Sequence, residues 1–217
     1  MLPSWERYAN PHFLQGLQSL QLDPDRIPRI SDVNQRLRPL TGFEAKPVGG
    51  YLPACQFFDC LRNRQFPTTI TIRDASTLDY LPEPDIFHDI AGHVPMHTDP
   101  TFADTLVRFG QCARTVSAMG ENSDSIQAMA RFFWFTIEFG LMRSQGGLKA
   151  YGSGLLSSHG ELEHALESSG VQRLPFNLEQ VVAQPFEIDH YQPILFYVES
   201  FEHLFSLADE FERLITL

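Results

Sequence analysis

Pro84-Asp85-Ile86-Phe87-His88-Asp89-Ile90-Ala91-Gly92-His93-Val94-Pro95 is the stretch on which the reading of this chain turns. Asp85 suits an N-cap, so a helix carrying His88 is expected to begin there. Two histidines five residues apart do not stack on a regular α-helix. At about 100° per residue they lie roughly 140° apart around the axis. Both can face one ion only if the helix ends or distorts between them. Gly92 permits such a change, and Val94-Pro95 disfavours continuation of the helix. Taken alone, the pair is weak evidence for a metal site, and one capping histidine with one packed in a core is the more ordinary reading.

Glu138 changes that balance. It lies in Phe132-Phe133-Trp134-Phe135-Thr136-Ile137-Glu138-Phe139-Gly140-Leu141-Met142, where almost every neighbour is apolar. A helix apolar on most faces is buried, and a buried carboxylate needs a cation, a metal or a raised pKa. An ion pair with Arg131 or Arg143 would be the ordinary solution, although Arg131 lies two turns back and has a long reach. Two histidines and one carboxylate from separate elements are also the facial triad of non-haem iron(II) oxygenases, which leaves coordination positions open. Zinc hydrolases use two histidines and a glutamate as well. Their helical motif, with histidines four apart and a glutamate beside the first, is absent here, which favours iron.

Outward from these segments the pattern is mainly helical with a few short strands. Helical spacing is expected over Trp5–Leu20, Ser31–Leu37, Cys55–Leu61, Phe102–Val116, Ser125–Met142, Gly160–Leu166 and, as a closing amphipathic helix, Phe201–Leu217. Short strands are expected at Val48–Leu52, Thr68–Ile72, Phe186–Ile188 and Leu195–Val198. Tyr80-Leu81-Pro82-Glu83-Pro84 is excluded from regular structure by its prolines. Gly146-Gly147 is expected to end the helix that carries Glu138, and Tyr151-Gly152-Ser153-Gly154 to make a flexible turn.

The 217 residues suffice for one domain with a substantial core, and no repeat or Gly/Ser linker divides them. A net charge of -11 argues against a broad nucleic-acid surface. No apolar run approaches the roughly 20 residues that span a bilayer. Cys55, Cys60 and Cys112 cannot all pair within the chain, and no signal peptide is evident, so a reducing cytoplasm is expected. Phenylalanine is abundant, with 18 copies against 2 tryptophans, which suits an aromatic-lined pocket and a Phe-rich core alike.

Several runs then coincide in order and separation: Pro82-Glu83-Pro84-Asp85, His88, Gly92-His93-Val94-Pro95, Trp134-Phe135-Thr136-Ile137-Glu138-Phe139-Gly140-Leu141 and Leu155-Leu156-Ser157-Ser158. Together, from about Gly42 to Phe201, they resemble the catalytic domain of the aromatic amino acid hydroxylases. That family is mononuclear iron(II) and tetrahydropterin dependent. The resemblance implies a single catalytic domain over 1–217, in a compact, bacterial phenylalanine hydroxylase-like form. The regulatory domain and tetramerisation helix of animal members are expected to be absent. It further implies ring hydroxylation of an aromatic amino acid with O₂, by a monomer or small homo-oligomer.

Residue by residue, the resemblance makes His88, His93 and Glu138 the iron ligands. Phe57 becomes the pterin-stacking ring, with Leu52 in the backbone segment beside it. Asp89 stands where many members carry glutamate near the pterin. Arg73 matches the arginine that pairs with the substrate carboxylate, a task suited to a planar guanidinium. Ser157 matches a serine near that carboxylate and an iron ligand. Pro84, Trp134 and Phe139 match the wall around the substrate ring, and Gly154 a position where a side chain would crowd it. Asp85 orients His88 from behind or simply caps its helix. His97, His159 and His164 match no ligand and are expected at the surface or as caps.

Three positions depart from the pattern: Phe133 for a tyrosine, Leu81 for a threonine and Ala54 for a serine. Trp134 matches phenylalanine and tyrosine hydroxylases, where animal tryptophan hydroxylases carry phenylalanine. Phenylalanine to tyrosine is therefore the first expectation. 3-Hydroxylation to meta-tyrosine and tryptophan hydroxylation follow, with a zinc hydrolase or a silent binding protein as more distant readings.

Overall fold

The computed structural model describes residues 1–50, 52–72, 84–118, 124–186, 188 and 190–216. The helix expected over Trp5–Leu20 divides into α1 (Leu2–Tyr8) and α2 (Pro11–Leu20). The break is written in Asn10-Pro11: the Asn10 side chain accepts the His12 backbone N–H at 2.9 Å, and Pro11 begins α2. α3 (Ile30–Thr41) follows. Then β1 (Glu44–Val48), α4 (Ala54–Arg62) and β2 (Gln65–Thr69) form one unit. β1 and β2 pair in parallel, Glu44 opposite Gln65 through Val48 opposite Thr69. Both strands start three or four residues earlier than expected. This register buries Ala45 and Phe66, whereas Ile70 and Ile72 remain exposed.

The next helices build the frame. A π-helical segment, Phe87–His93, runs into a 3₁₀ turn, Val94–Thr98, and then into α5 (Pro100–Ala118). Phe102, Leu106, Phe109, Ala113 and Val116 form the buried stripe of α5, which packs between α4 and α10 (Phe201–Thr216). α6 (Asp124–Phe133) continues into a second π-helical segment, Trp134–Glu138.

There the helix expected to reach Met142 ends. Leu141–Ser144 is instead β3, paired antiparallel with β4 (Gly147–Ala150), so Gln145-Gly146 turns a hairpin and Gly147 opens its second strand rather than ending a helix. Only Leu141 and Met142 of β3 are buried, and so short an apolar run carries no periodicity that separates strand from helix. The expected flexible turn is in part a one-turn helix, α7 (Ser153–Leu156), followed by α8 (His159–Glu167). β5 (Gln172–Pro175) and α9 (Leu178–Ala183) were not legible in the spacing. β5 pairs in parallel with β6 (Ile194–Val198), which pairs in parallel with β3, giving the order β4-β3-β6-β5. No strand includes Phe186 or Ile188, contrary to expectation, and Ile188 is exposed.

One hydrophobic cluster runs from Trp5 to Ile215 through all of these elements. The fold is thus mainly α with a few short strands. Among the described residues no helix is long and apolar enough to cross a membrane.

Candidate metal centre and the cavity beside it

The π-helical segment Phe87–His93 supplies the distortion that two histidines five apart require. A π-helix closes its hydrogen bonds i→i+5, so residues at that spacing come onto one face. Asp85 caps the segment, its Oδ1 accepting the His88 backbone N–H at 2.9 Å. The second segment, Trp134–Glu138, is likewise closed by an i→i+5 bond, Phe139 N–H to the Trp134 carbonyl at 2.9 Å. Its last residue is Glu138.

The two segments meet at three side chains. His93 Nε2 lies 3.1 Å from His88 Nε2 and 3.2 Å from Glu138 Oε1, and His88 Nε2 lies 3.6 Å from Glu138 Oε2. Ligands about 2.1 Å from one ion and at right angles to one another stand about 3 Å apart, so the triangle fits a small divalent cation. Arg131 and Arg143 are engaged elsewhere, with the Val182 carbonyl and Glu199, and Glu138 is left to the two imidazoles. Burial pushes the Glu138 carboxyl up, but the charges of His93 and His88 and a hydrogen bond from His93 outweigh it. The group sits below its ordinary value.

α7 holds both segments. Ser157, just after it, donates its hydroxyl proton to the Ser153 carbonyl at 2.8 Å. Its oxygen lone pair therefore accepts from His88 Nδ1–H at 2.7 Å, which aims the His88 Nε2 lone pair at the cluster. The ring partner is thus Ser157, whereas Asp85 meets the His88 backbone and is its cap. Close approach explains the small residues here. A Cβ on Gly152 would sit 2.5 Å from the Glu138 carbonyl oxygen, and one on Gly154 2.8 Å from the Phe139 ring.

A cavity of about 200 Å³ opens beside the cluster. His88, His93, Glu138, Leu52, Phe57, Asp89 and Pro84 all line it. Phe57 is held edge-on by Phe58, Phe66 and Phe133. Phe133, the departure from the tyrosine of the resemblance, is thus part of the packing behind Phe57. Asp89 does not reach freely into the cavity: its Oδ2 accepts the Thr69 backbone N–H at 2.6 Å. Burial pushes its pKa up to about 6, against the lowering pull of His93 and of that hydrogen bond.

Trp134 and Phe139 form a second group. Their rings lie 4.6 Å apart, and Phe186 stacks on the other side of Trp134 at 4.3 Å and 13°. Arg73 and Leu81 lie outside the described residues. Ala54 is exposed at the start of α4.

Sequence reasoning missed several participants. Phe66 and Thr69 line the cavity from β2, and Phe186 and Gln192 contact Trp134 from the connection before β6. None carries a spacing signal. His97 is a correction. It is fully buried between Phe43, Phe66 and Phe102, not at the surface, and its Nδ1 donates to the His93 carbonyl at 2.8 Å. Burial, and then the charge of His93, lower its pKa to about 3, so it is a neutral packing imidazole.

A helical shell around a His–His–carboxylate cluster that opens onto a cavity is an arrangement used by mononuclear metal proteins. Residues 5–216 match the family model for biopterin-dependent aromatic amino acid hydroxylases. The phenylalanine-4-hydroxylase of Chromobacterium violaceum is 39% identical over 198 residues, 91% of this chain and 65% of that protein. The phenylalanine-4-hydroxylase of Mesorhizobium japonicum is 42% identical over 213 residues, 96% of this chain and 75% of the relative. The crystal structure of the C. violaceum enzyme bound to cobalt superposes with a TM-score of 0.90 at 36% identity, covering 97% of this chain and 76% of that one.

The chain belongs to the biopterin-dependent aromatic amino acid hydroxylase family. It spans about two thirds of the length of the C. violaceum relative. These relatives do not favour a zinc hydrolase or a silent scaffold.

Proposed function

We propose that this chain is an iron(II)- and tetrahydropterin-dependent monooxygenase that hydroxylates the ring of an aromatic amino acid with O₂, phenylalanine to tyrosine first among them. The observation that carries the reading is the convergence of His88, His93 and Glu138 within 3.1–3.6 Å at the wall of a cavity also lined by Phe57. Membership of the family supports it, as do the two bacterial relatives, both phenylalanine-4-hydroxylases.

In this reading His88, His93 and Glu138 hold iron(II) by two neutral imidazoles and a carboxylate, a donor set suited to iron with positions left open. When bound, the iron and the tetrahydropterin supply the reduction of O₂, with the pterin giving two electrons. The protein's part is positioning. Ser157 keeps the His88 proton on Nδ1 and its Nε2 lone pair inward. Phe57 offers the pterin a rigid face, Leu52 borders it, and Asp89, tied to the Thr69 backbone, presents a polar edge. Trp134, Phe139 and Pro84 wall the substrate ring, Gly154 leaves it room, and Arg73 takes the substrate carboxylate. Such walls decide which ring carbon faces the metal. We assign all 217 residues to one catalytic domain, acting in the cytoplasm as a monomer or small homo-oligomer. The thiols of Cys55, Cys60 and Cys112 are unpaired, which suits that compartment.

The test is to give anaerobically iron-loaded protein tetrahydropterin, O₂ and each aromatic amino acid, and to identify products by chromatography and mass spectrometry. Glu138→Ala serves as control, with metal content measured in both. Phenylalanine should gain one oxygen in an iron- and pterin-dependent way, and the control should lose both metal and product. Iron-loaded protein that oxygenates none of the three amino acids overturns the proposal.

A further inference from the structure

Trp134 is held by its edge as well as by its faces. Its indole Nε1–H donates to Gln192 Oε1 at 3.3 Å, and Gln192 is only 4% exposed. The amide cannot turn over without loss, because Gln192 Nε2 donates to the His190 carbonyl at 3.2 Å. The backbone N–H of Gln192 in turn donates to Glu161 Oε1 on α8 at 3.0 Å, and Glu161 is 9% exposed. Phe186, which stacks on Trp134, belongs to the same connection between α9 and β6. One connection therefore supplies both a stacking face and the edge acceptor for this ring, and a buried carboxylate on α8 ties it down.

Such a device answers a specific need. A tryptophan sandwiched between Phe139 and Phe186 can still slide or rock in the plane of the stack. An acceptor at the indole edge removes that freedom, and a backbone anchored by a carboxylate keeps the acceptor in place. We propose that Gln192, anchored by Glu161, is a positioning residue that fixes the plane of Trp134, and so fixes where on the aromatic substrate the oxygen is delivered. The proposal rests on the reading above that Trp134 walls the substrate ring. A looser wall lets the ring present more than one carbon, or none, while the pterin is still consumed.

The experiment compares wild type with Gln192→Met, which keeps side-chain length but offers the indole no oxygen acceptor. The chain has 2 tryptophans, so ¹⁵N-labelled, metal-free protein gives two indole N–H resonances. The Trp5 indole bonds the Leu156 carbonyl and serves as the internal reference. In Gln192→Met the Trp134 resonance should move upfield and exchange faster, with that of Trp5 unmoved. In iron-loaded protein, KM for phenylalanine should rise roughly three- to tenfold and pterin consumed per product at least about twofold. KM for the pterin and the metal content should stay near wild type. Glu161→Leu should reproduce the pattern at smaller size, and Glu161→Gln, which retains an acceptor, should lie closer to wild type. This pair also decides the matter if Gln192→Met does not fold.

Active wild type with unchanged amino acid KM, ring position and pterin-to-product ratio in Gln192→Met and Glu161→Leu overturns this proposal alone. Wild type that oxygenates no aromatic amino acid overturns it together with the hydroxylase reading.

Discussion

The two π-helical segments reach the same point by different routes. Phe87–His93 brings two donors from within seven residues, so their approach is a local matter of backbone geometry, with Asp85 capping it. Trp134–Glu138 brings one donor from the end of a long buried run, and nothing local decides where that donor lands. Its position depends on α7 being able to press against Gly140 and the Glu138 carbonyl. A ligand pair can therefore be encoded in one short stretch, whereas the third ligand is delivered by packing.

Substitution at the two glycine contacts tests this difference most severely. An alanine Cβ at Gly152 would stand 2.4 Å from the Gly140 nitrogen and 2.5 Å from the Glu138 oxygen, both backbone atoms with little room to yield. Gly152→Ala should cost about 3 kcal/mol or more in denaturant unfolding. At Gly92 the corresponding contacts are 3.2 Å, to Ser153 O and Ser157 Cβ, and Gly92→Ala should cost about 1 kcal/mol or less. A larger loss at Gly92 would mean that the first segment, not the second, is the one held by packing.

Ser157 and Asp85 hold the first segment in different ways, one at the His88 ring and the other at its backbone. Ser157→Ala removes the partner of His88 Nδ1 and should weaken cobalt or iron binding by roughly 10- to 100-fold by titration calorimetry, with little change in Tm. Asp85→Ala touches the same segment through its cap and should do the reverse. It should lower stability by about 1 kcal/mol and leave metal affinity within a few-fold. Equal effects of the two on affinity would show that the first segment is not locally preformed.

The smallest effect lies on the far flank of the second segment, where Glu161 anchors Gln192. Burial pushes the Glu161 carboxyl from 4.5 up to about 7, although the Gln192 N–H pulls it down. The folded protein then holds this proton more tightly than the unfolded chain does. Stability from this group is accordingly full below about pH 4.5 and lost as pH rises through about 7. Glu161→Gln abolishes that loss. Relative to wild type it should gain about 1–3 kcal/mol between pH 5 and pH 8 in thermal or denaturant melts, and a parallel pair of pH profiles would contradict this.

Much of this molecule was legible one residue at a time. Asn10-Pro11 marks a helix start, although the spacing of Phe13, Leu14, Leu17 and Leu20 suggested one continuous helix. The α5 and α10 stripes followed directly from 3.6-residue spacing. Hydrophobic pattern failed from Leu141 to Ala150, because only Leu141, Met142 and Ala150 are buried there, and two adjacent apolar residues carry no periodicity that separates strand from helix. It failed again at β5, whose residues alternate weakly and which exists because β6 is there to pair with it. His97 looked like a surface residue because a lone histidine carries no sign of its surroundings. Phe43, Phe66 and Phe102, from three separate elements, bury it.

By itself the sequence determined the donor types at His88, His93 and Glu138, the local break that lets two histidines share a face, and the mainly helical class. These follow from residue chemistry and from spacings of a few residues, which short-range sterics and hydrogen bonding enforce. Tertiary structure decided that Glu138 meets the histidines rather than an arginine, that Ser157 sets the His88 tautomer, that Asp89 turns to the Thr69 backbone, and that Gln192 holds Trp134. Each of these contacts joins residues 20 to 69 positions apart. Contacts at such separations come from the one close-packed arrangement that buries the core, and no local pattern records them.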